Sequence, residues 1–442
     1  MPTLLAGTGD ATITPPVGTW LEGYGGRTSG STGVHDDLHA RALVIDDGTS
    51  QAAVVSCDLV GVDRHLTARV RELASEATGI PAAHIMVAAT HTHAGSAGLH
   101  PRRDAPLFET TARMIAGAVA SAHAARRPAV LKAGAGSVDS VSQNRRAPDG
   151  PKDDALRVLL FDAPDHREPP VACVVNFACH ATVLYATNME VSADYPGAAV
   201  ATVRELTGAP ALFLNGACGD VNPSWVEQDF AEAERVGRIV GAEASRRALE
   251  LRPLGHEHRT WNIRWDELTP NRPPGAMLEP HIRVASRTVE LPVRRFEPEP
   301  AYRERLARLD ADLRALPAGD IARRRQLMEQ ITRYRTEVDV AARAGASPRV
   351  LHAEVQAIAL APGCAVLGLP GEFFAETGAA IRKAAGIEHL LLACYANHYL
   401  YYVVPPAEFA RGGYEAGVAI VDETAEARIL EAAAAVLREV AG

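Results

Sequence analysis

The sequence predicts an α/β chain of the mixed α+β kind, with mixed β-sheets flanked by helices. Two observations carry that expectation. From the N-terminus to about residue 250, short apolar runs rich in Val, Ile and Leu alternate with amphipathic segments of helical period, and the alternation resumes at 354. Four of the runs also end on a residue able to bind a metal, and sheets of this kind gather ligands just beyond the carboxyl ends of their strands.

In chain order, Ala52 to Asp58 reads as a strand. Asp63 then caps a helix that carries Leu66, Val70, Leu73 and Ala77 on one face and closes at Gly79. Ile85 to Ala89 is a buried strand that runs into Thr90-His91-Thr92-His93. Helices are expected over Leu107 to Arg127, Asp194 to Thr207 and Asp229 to Leu251. Strands are expected over Val171 to Phe177, which leads to His180, and over Ala211 to Asn215. Residues 253–300 turn rich in Pro, Arg and Glu and read as a connector holding one strand, Arg283 to Val293. Between 301 and 345, Leu306, Leu309, Leu313 and Leu316, then Leu327, Ile331, Tyr334 and Val338, recur at helical spacing amid dense charge. That is a charged helical hairpin, an insertion over 297–346 in what is otherwise one domain of 1–442. Its Arg323-Arg324-Arg325 cluster reads as a solvated helix face. Cys364 to Leu369 then leads to Pro370-Gly371-Glu372, and Leu390 to Cys394 leads to Asn397 and Tyr402. A helix from Asp422 to Val440 closes the chain.

Composition narrows the class of function. With 47% hydrophobic and 22% charged residues the 442-residue chain has ample core, and a net charge of -9 argues against a nucleic-acid partner or an anionic membrane surface. No apolar stretch is long enough to span a bilayer. The N-terminus shows no basic region followed by an apolar core, so no secretory signal is expected and the cytoplasm is the expected compartment. Six cysteines sit in or beside apolar runs without a Cys-x-x-Cys pair, which suits reduced, buried thiols. A homo-oligomer stays open.

His91, His180, Glu372 and Tyr402 offer two imidazoles, a carboxylate and a phenol oxygen, a set suited to one hard-to-borderline divalent ion, zinc first. Each has a plainer alternative. A lone His-x-His after a strand is a weak signal, because buried histidines satisfied by backbone carbonyls are frequent. Small neighbours Ala94, Gly95, Ser96, Ala97 and Gly98 would let the backbone bend close to an ion. His180 reads equally as a core histidine, and Tyr399, Tyr401 and Tyr402 read as packing aromatics. Glu372 is harder to dismiss, because burying a carboxylate is costly without a cation or donor.

Taken together, the motifs resemble the neutral ceramidases. Gly33-Val34-His35 with Ala40-Arg41-Ala42, Thr90-His91-Thr92-His93-Ala94-Gly95, Asn176 to His180, Gly219-Asp220-Val221-Asn222-Pro223, Pro370-Gly371-Glu372-Phe373, Asn397 to Tyr402 and Tyr414-Glu415 stand in that family's order. The resemblance covers most of residues 5–250 and 354–418. It implies a neutral-ceramidase-like catalytic domain with one zinc on His91, His180, Glu372 and Tyr402. It also implies substrate-facing roles for His93, Arg145 and Tyr414. On this pattern zinc-bound hydroxide attacks a metal-polarised carbonyl, His93, Tyr414 or Arg145 steadies the oxyanion, and Asp220 accepts the water's proton. An Asp220 that only stitches a loop is the competing reading. Two departures stand out. Asn222 replaces the family's serine, which favours metal-activated water over a serine nucleophile and leaves Asn222 as a hydrogen-bond donor to substrate. The family's C-terminal immunoglobulin-like domain is not expected here.

The resulting expectation is a zinc-dependent hydrolase of a C–N amide bond in a small or lipid-like N-acyl compound. A lactonase or esterase using the same chemistry is the alternative, and a non-catalytic zinc-containing binding protein is a third reading.

Overall fold

Period-two burial in the long strands dictates the layering. In the strand His39–Asp46, Ala42 and Val44 face one side and Leu43 and Ile45 the other, and all four are buried, so both faces require cover. On one face Val44, Val55 and Val87 share a core with Leu66 and Val70 of the helix Arg64–Thr78 and with Ile115 and Val119 of the helix Ala105–Ala124. On the other, Leu43, Ile45, Val54 and Met86 meet Ile358, Val366 and Leu391 of a second sheet. The far side of that sheet places Val355 and Leu367 in a core with Ile429 and Val436 of the helix Ala425–Ala441. Helix, sheet, sheet and helix thus form four layers, the α/β class the sequence predicts.

A computed structural model describes residues 4–24, 27–96, 105–165, 168–224, 226–252, 277–317 and 349–441, with parts of 320–338. The larger sheet runs in the order Ala211–Asn215, Ala172–Phe177, Ala155–Asp162, Arg127–Ser137, Leu4–Thr12, His39–Asp46, Gln51–Cys57, Ile85–Ala89. Its two end pairs are parallel and the rest antiparallel. The smaller sheet runs Arg283–Pro292, Val350–Ala361, Cys364–Gly368, His389–Ala393, and only its last pair is parallel. Among the described residues no helix is long and apolar enough to cross a membrane.

Differences from the sequence expectation have local causes. The helix expected to reach Arg127 stops at Ala124, and Arg127 opens a strand instead, because Pro128 disfavours helical geometry in the residue before it. The strand Leu4–Thr12 escaped the reading because Gly7, Thr8, Gly9 and Asp10 break its apolar pattern. A Cβ on Gly9 would stand 2.1 Å from the Ala118 carbonyl oxygen, so the helix Ala105–Ala124 can only cross this strand over glycine. The helix Glu299–Ala315 supplies the first arm of the expected charged hairpin. It meets described helical positions beyond 320, with the Arg305 guanidinium 5.0 Å from the Tyr334 ring and Arg335 3.7 Å from Asp310. Expectations for 253–276, Ala97, Gly98, Arg325 and 339–346 lie outside the described residues.

All six cysteines are free and buried. Burial pushes Cys173, Cys364 and Cys394 up to about 12, which removes these thiols as nucleophiles at neutral pH.

Candidate active site

The carboxyl ends of strands from both sheets converge, and side-chain amides hold them there. Asn215, at the end of its strand, donates to the carbonyls of Thr90 and Cys179, the residues preceding His91 and His180. Asn176 donates to Leu214 and Leu392 and so ties the larger sheet to the smaller. Asn397 accepts from the Val87 amide and donates to Gln356. Each of these amides is buried and engaged at both ends, which fixes loop positions that apolar packing alone would leave loose.

The loops so held are strained. His91 has φ 71°, Tyr395 58°, Asn397 61° and Tyr401 58°, a left-handed backbone that costs non-glycine residues of order 1 kcal/mol or more each. Gly371 lies in the same cluster at φ 147°, where a Cβ would meet the Tyr401 carbonyl oxygen at 2.7 Å. Its bare backbone brings the strand Glu372–Phe373 beside Tyr402–Val403, in a register that sets Glu372 against Tyr402.

These backbones bring the side chains together. Glu372 Oε2 lies 3.0 Å from His180 Nε2 and 3.4 Å from His91 Nε2. His93 Nε2 stands 3.1 Å from His91 Nε2, and the Tyr402 hydroxyl 3.4 Å from His180 Nε2. Four donors at about 2.0–2.1 Å from a tetrahedral zinc would be about 3.3 Å apart, so the observed spacing suits such an ion. Tautomers agree with this. His91 Nδ1 donates to the Val60 carbonyl at 2.6 Å and His180 Nδ1 to Cys218 at 2.7 Å, which turns both Nε2 lone pairs inward, as metal-ligating histidines require. His93 Nδ1 is buried without a partner among the described residues, so none of them fixes that ring in the same way. Nitrogens of His91, His93 and His180 all lie within 4.8 Å of one another.

Electrostatics set the charge states. Burial depresses His180 to about 4, with the Arg145 guanidinium adding to the effect. Burial also lowers His93 well below the usual histidine range, and His91 and His180 reinforce it. Burial would raise Glu372, but the neighbouring His91 and His180 more than offset that and hold it well below the carboxylate range. Glu372 Oε1 accepts from the Tyr399 hydroxyl at 2.7 Å, while Oε2 is buried and has no hydrogen-bond donor. A desolvated carboxylate oxygen of that kind is costly unless a cation faces it.

The depressed histidine has a measurable consequence. In the unfolded chain His180 titrates near about 6.5, so its contribution to stability is complete above that pH and is lost as pH falls toward 4. Metal-free protein is expected to lose about 3 kcal/mol across this window through His180. Urea midpoints at a series of pH values check it, and His180→Asn should flatten the slope.

The remaining residues divide. Arg145 Nη2 donates to the Tyr402 hydroxyl at 3.0 Å and to the Gly219 carbonyl at 2.7 Å, Nη1 to Asn222 at 3.2 Å and Nε to Glu415 at 2.9 Å. Arg145, expected to face substrate, has all three nitrogens engaged within the protein. The Tyr414 ring stands 5.9 Å from that of Tyr402. Asn222 is engaged through its Oδ1 by Arg145. Asp220, expected to accept the water's proton, has one oxygen accepting from the Ala375 amide at 2.8 Å and the other from Asn144 at 2.7 Å. These two bonds stitch the loop to the start of the helix Ala375–Ala385, the competing reading of this residue, and leave each oxygen a further lone pair. Asp220→Asn is expected to keep its metal and lose about 1–2 kcal/mol of stability, read by elemental analysis and urea unfolding.

Sequence reading missed three contributors. Tyr399, read as packing, is the donor to Glu372. The Tyr24 ring packs edge-on to His93 at 4.9 Å, and Arg27 donates to the His93 carbonyl at 2.7 Å. Their only signal was the cluster of glycines around them, Gly23, Gly25 and Gly26, in a stretch without periodicity.

The sequence profile described as "Neutral/alkaline non-lysosomal ceramidase, N-terminal" matches residues 4–224. No curated protein matches the chain. Among solved structures, the neutral ceramidase from Pseudomonas aeruginosa is similar, at a TM-score of 0.74 and 21% identity, covering 100% of this chain and 75% of that one. A second, described as "Ceramidase complexed with C2", aligns at a TM-score of 0.72 and 20% identity, covering 99% and 76%. At that identity the likeness speaks to the fold.

Proposed function

Because the chain belongs to the neutral/alkaline non-lysosomal ceramidase family, we propose that it is a zinc-dependent hydrolase that cleaves the C–N amide bond of a small or lipid-like N-acyl compound. The observation that carries this reading is the buried, donor-free Glu372 Oε2 pointing at the Nε2 atoms of His91 and His180. His91, His180, Glu372 and Tyr402 would hold the ion. His93 fits less well as a ligand, since no acceptor among the described residues fixes its outer nitrogen. When bound, zinc lowers the pKa of a coordinated water to about 7 and polarises a carbonyl.

The protein's own groups supply the rest. Kept neutral by burial, His93 donates an N–H to the oxygen on which negative charge develops. Arg145 acts through Tyr402: burial raises that phenol well above its ordinary range, and the guanidinium on its oxygen opposes the rise and favours the phenolate. Glu415, at 2.9 Å, neutralises Arg145 in turn. Tyr399 fixes the Glu372 carboxylate so that Oε2 alone turns inward. Tyr399→Phe is expected to weaken zinc binding by about 10–100-fold, measured by chelator competition.

A panel of N-acyl amines, esters and lactones, assayed before and after chelation, tests the proposal. Amide turnover that chelation abolishes and zinc restores is the expected result. Turnover confined to esters or lactones would transfer the site to that chemistry. Stoichiometric zinc with no turnover would make it a binding protein.

A further inference from the structure

We propose that Arg27 binds a carboxylate on the amine half of the substrate, so that the hydrolase acts on N-acyl amino acids; this rests on the reading of the site given above.

Arg27 is only 8% exposed, yet no carboxylate among the described residues lies within ion-pair distance of it, the Glu22 charge acting only from farther off. Nη1 donates to the carbonyls of His93 at 2.7 Å and Glu22 at 3.0 Å. Nε and Nη2 are buried and have no acceptor among the described residues. These are the two nitrogens whose N–H bonds run parallel along one edge of the guanidinium, the fork that takes both oxygens of a carboxylate. Leaving that fork unpaired and out of water costs more than the two carbonyl contacts recover, since burying a cation is unfavourable unless it is paired and hydrogen-bonded. Burial drags Arg27 down to about 10, a sign of the same cost.

Position assigns the fork to substrate. Arg27 lies one histidine away from the metal cluster, because the carbonyl it grips belongs to His93, whose Nε2 stands 3.1 Å from His91 Nε2. The guanidinium lies 5.0 Å from the Tyr24 ring centroid, and that ring packs against both His93 and Tyr185, the last 46% exposed. The Tyr24 hydroxyl donates to the Leu184 carbonyl, which holds the ring in place. An aromatic wall thus runs from solvent to His93 with a cation behind it. Arg145, the other arginine of the site, is already spent on Glu415, Tyr402, Gly219 and Asn222. An N-acyl amino acid carries its carboxylate two bonds from the scissile nitrogen, on the amine side where a guanidinium beside His93 could take it. In the reaction, water oxygen bonds to the acyl carbon, the C–N bond breaks, and the proton passes to the departing nitrogen, giving a fatty or short-chain acid and a free amino acid.

The zinc-loaded enzyme is assayed on N-acyl glycine, N-acyl leucine and N-acyl phenylalanine, each paired with its carboxamide, which differs only in lacking the charge. Wild type is expected to prefer the acids by about 100-fold or more in kcat/KM, chiefly through KM. In Arg27→Met that acid-to-carboxamide ratio is expected to fall at least about 50-fold, and Arg27→Lys should recover part of it. A wild-type enzyme that turns over both members of each pair equally, or prefers the carboxamide, overturns the proposal without any variant and leaves the hydrolase reading intact. An unchanged ratio in a folded Arg27→Met overturns it too, because a mere prop for the His93 carbonyl would lower both activities together. Zinc-loaded protein that turns over no amide, ester or lactone overturns the hydrolase reading itself.

Discussion

His180→Ala is expected to lose zinc and turnover together, with activity reduced by at least about three orders of magnitude. The imidazole is fully buried and faces four potential partners: Glu372 Oε2, the Tyr402 hydroxyl and the backbone carbonyls of Cys218 and Val221. Removing it takes away one ligand and leaves the Tyr402 hydroxyl held by Arg145 without its imidazole neighbour. It also leaves the Glu372 charge more exposed to its own desolvation cost. A stability loss of about 3 kcal/mol should accompany the change, from the cavity and the orphaned carbonyls. Folding therefore has to be measured beside zinc content. His180→Asn, which can still donate toward Cys218, serves as the milder variant: it should stay closer to native stability yet remain zinc-poor and inactive. Full zinc occupancy in either folded variant would remove His180 from the ligand set, and with it the metal-centred reading of the cluster.

How much of this was legible beforehand depends on the range of the interaction. Ile85 to Ala89 and Ala211 to Asn215 are continuous apolar runs that can only be buried, and both appear as strands over those residues. The helix Asp194–Thr207 also follows its periodicity, ending at Gly208 in the left-handed conformation. Spacing could not decide whether His91 and His93 point the same way. Two apart, they would share a face of a regular strand, but the strand ends at Ala89 and His91 is left-handed, so period two no longer governs them and only the fold shows the two Nε2 atoms 3.1 Å apart. Likewise nothing in the 29 residues between Glu372 and Tyr402 announces that two short strands will pair them, because two-residue strands have no period to detect. Asp220 shows the opposite limit. A carboxylate in a Gly-Asp-Val-Asn loop looks catalytic in one dimension, and only the positions of Ala375 and Asn144, far away in sequence, reveal the bonds its oxygens accept.

Arg145→Met is expected to cost about 2–4 kcal/mol of stability and to lower turnover by about 100-fold while zinc remains measurable. Four acceptors depend on this guanidinium: Glu415, Tyr402, Asn222 and the Gly219 carbonyl. Glu415 is partly protected, because Arg146 reaches its second oxygen, so the full penalty of a stranded buried carboxylate does not fall on it. Tyr402 has no such reserve. Without the cation on its oxygen, burial raises the phenol further, the phenolate becomes harder to form, and the ligand weakens at the pH where the enzyme works. Activity should therefore recover as pH rises in the variant, whereas a substrate-binding arginine would leave the pH profile in place and raise KM instead. Arg145→Lys separates the fork from the charge. An ammonium can approach Tyr402 or Glu415 but cannot span all four acceptors, so it should restore part of the stability and little of the turnover. A lysine variant equal to wild type in both would mean that only a positive charge is needed at 145, and that the hydrogen-bonded frame around Tyr402 does not set its reactivity.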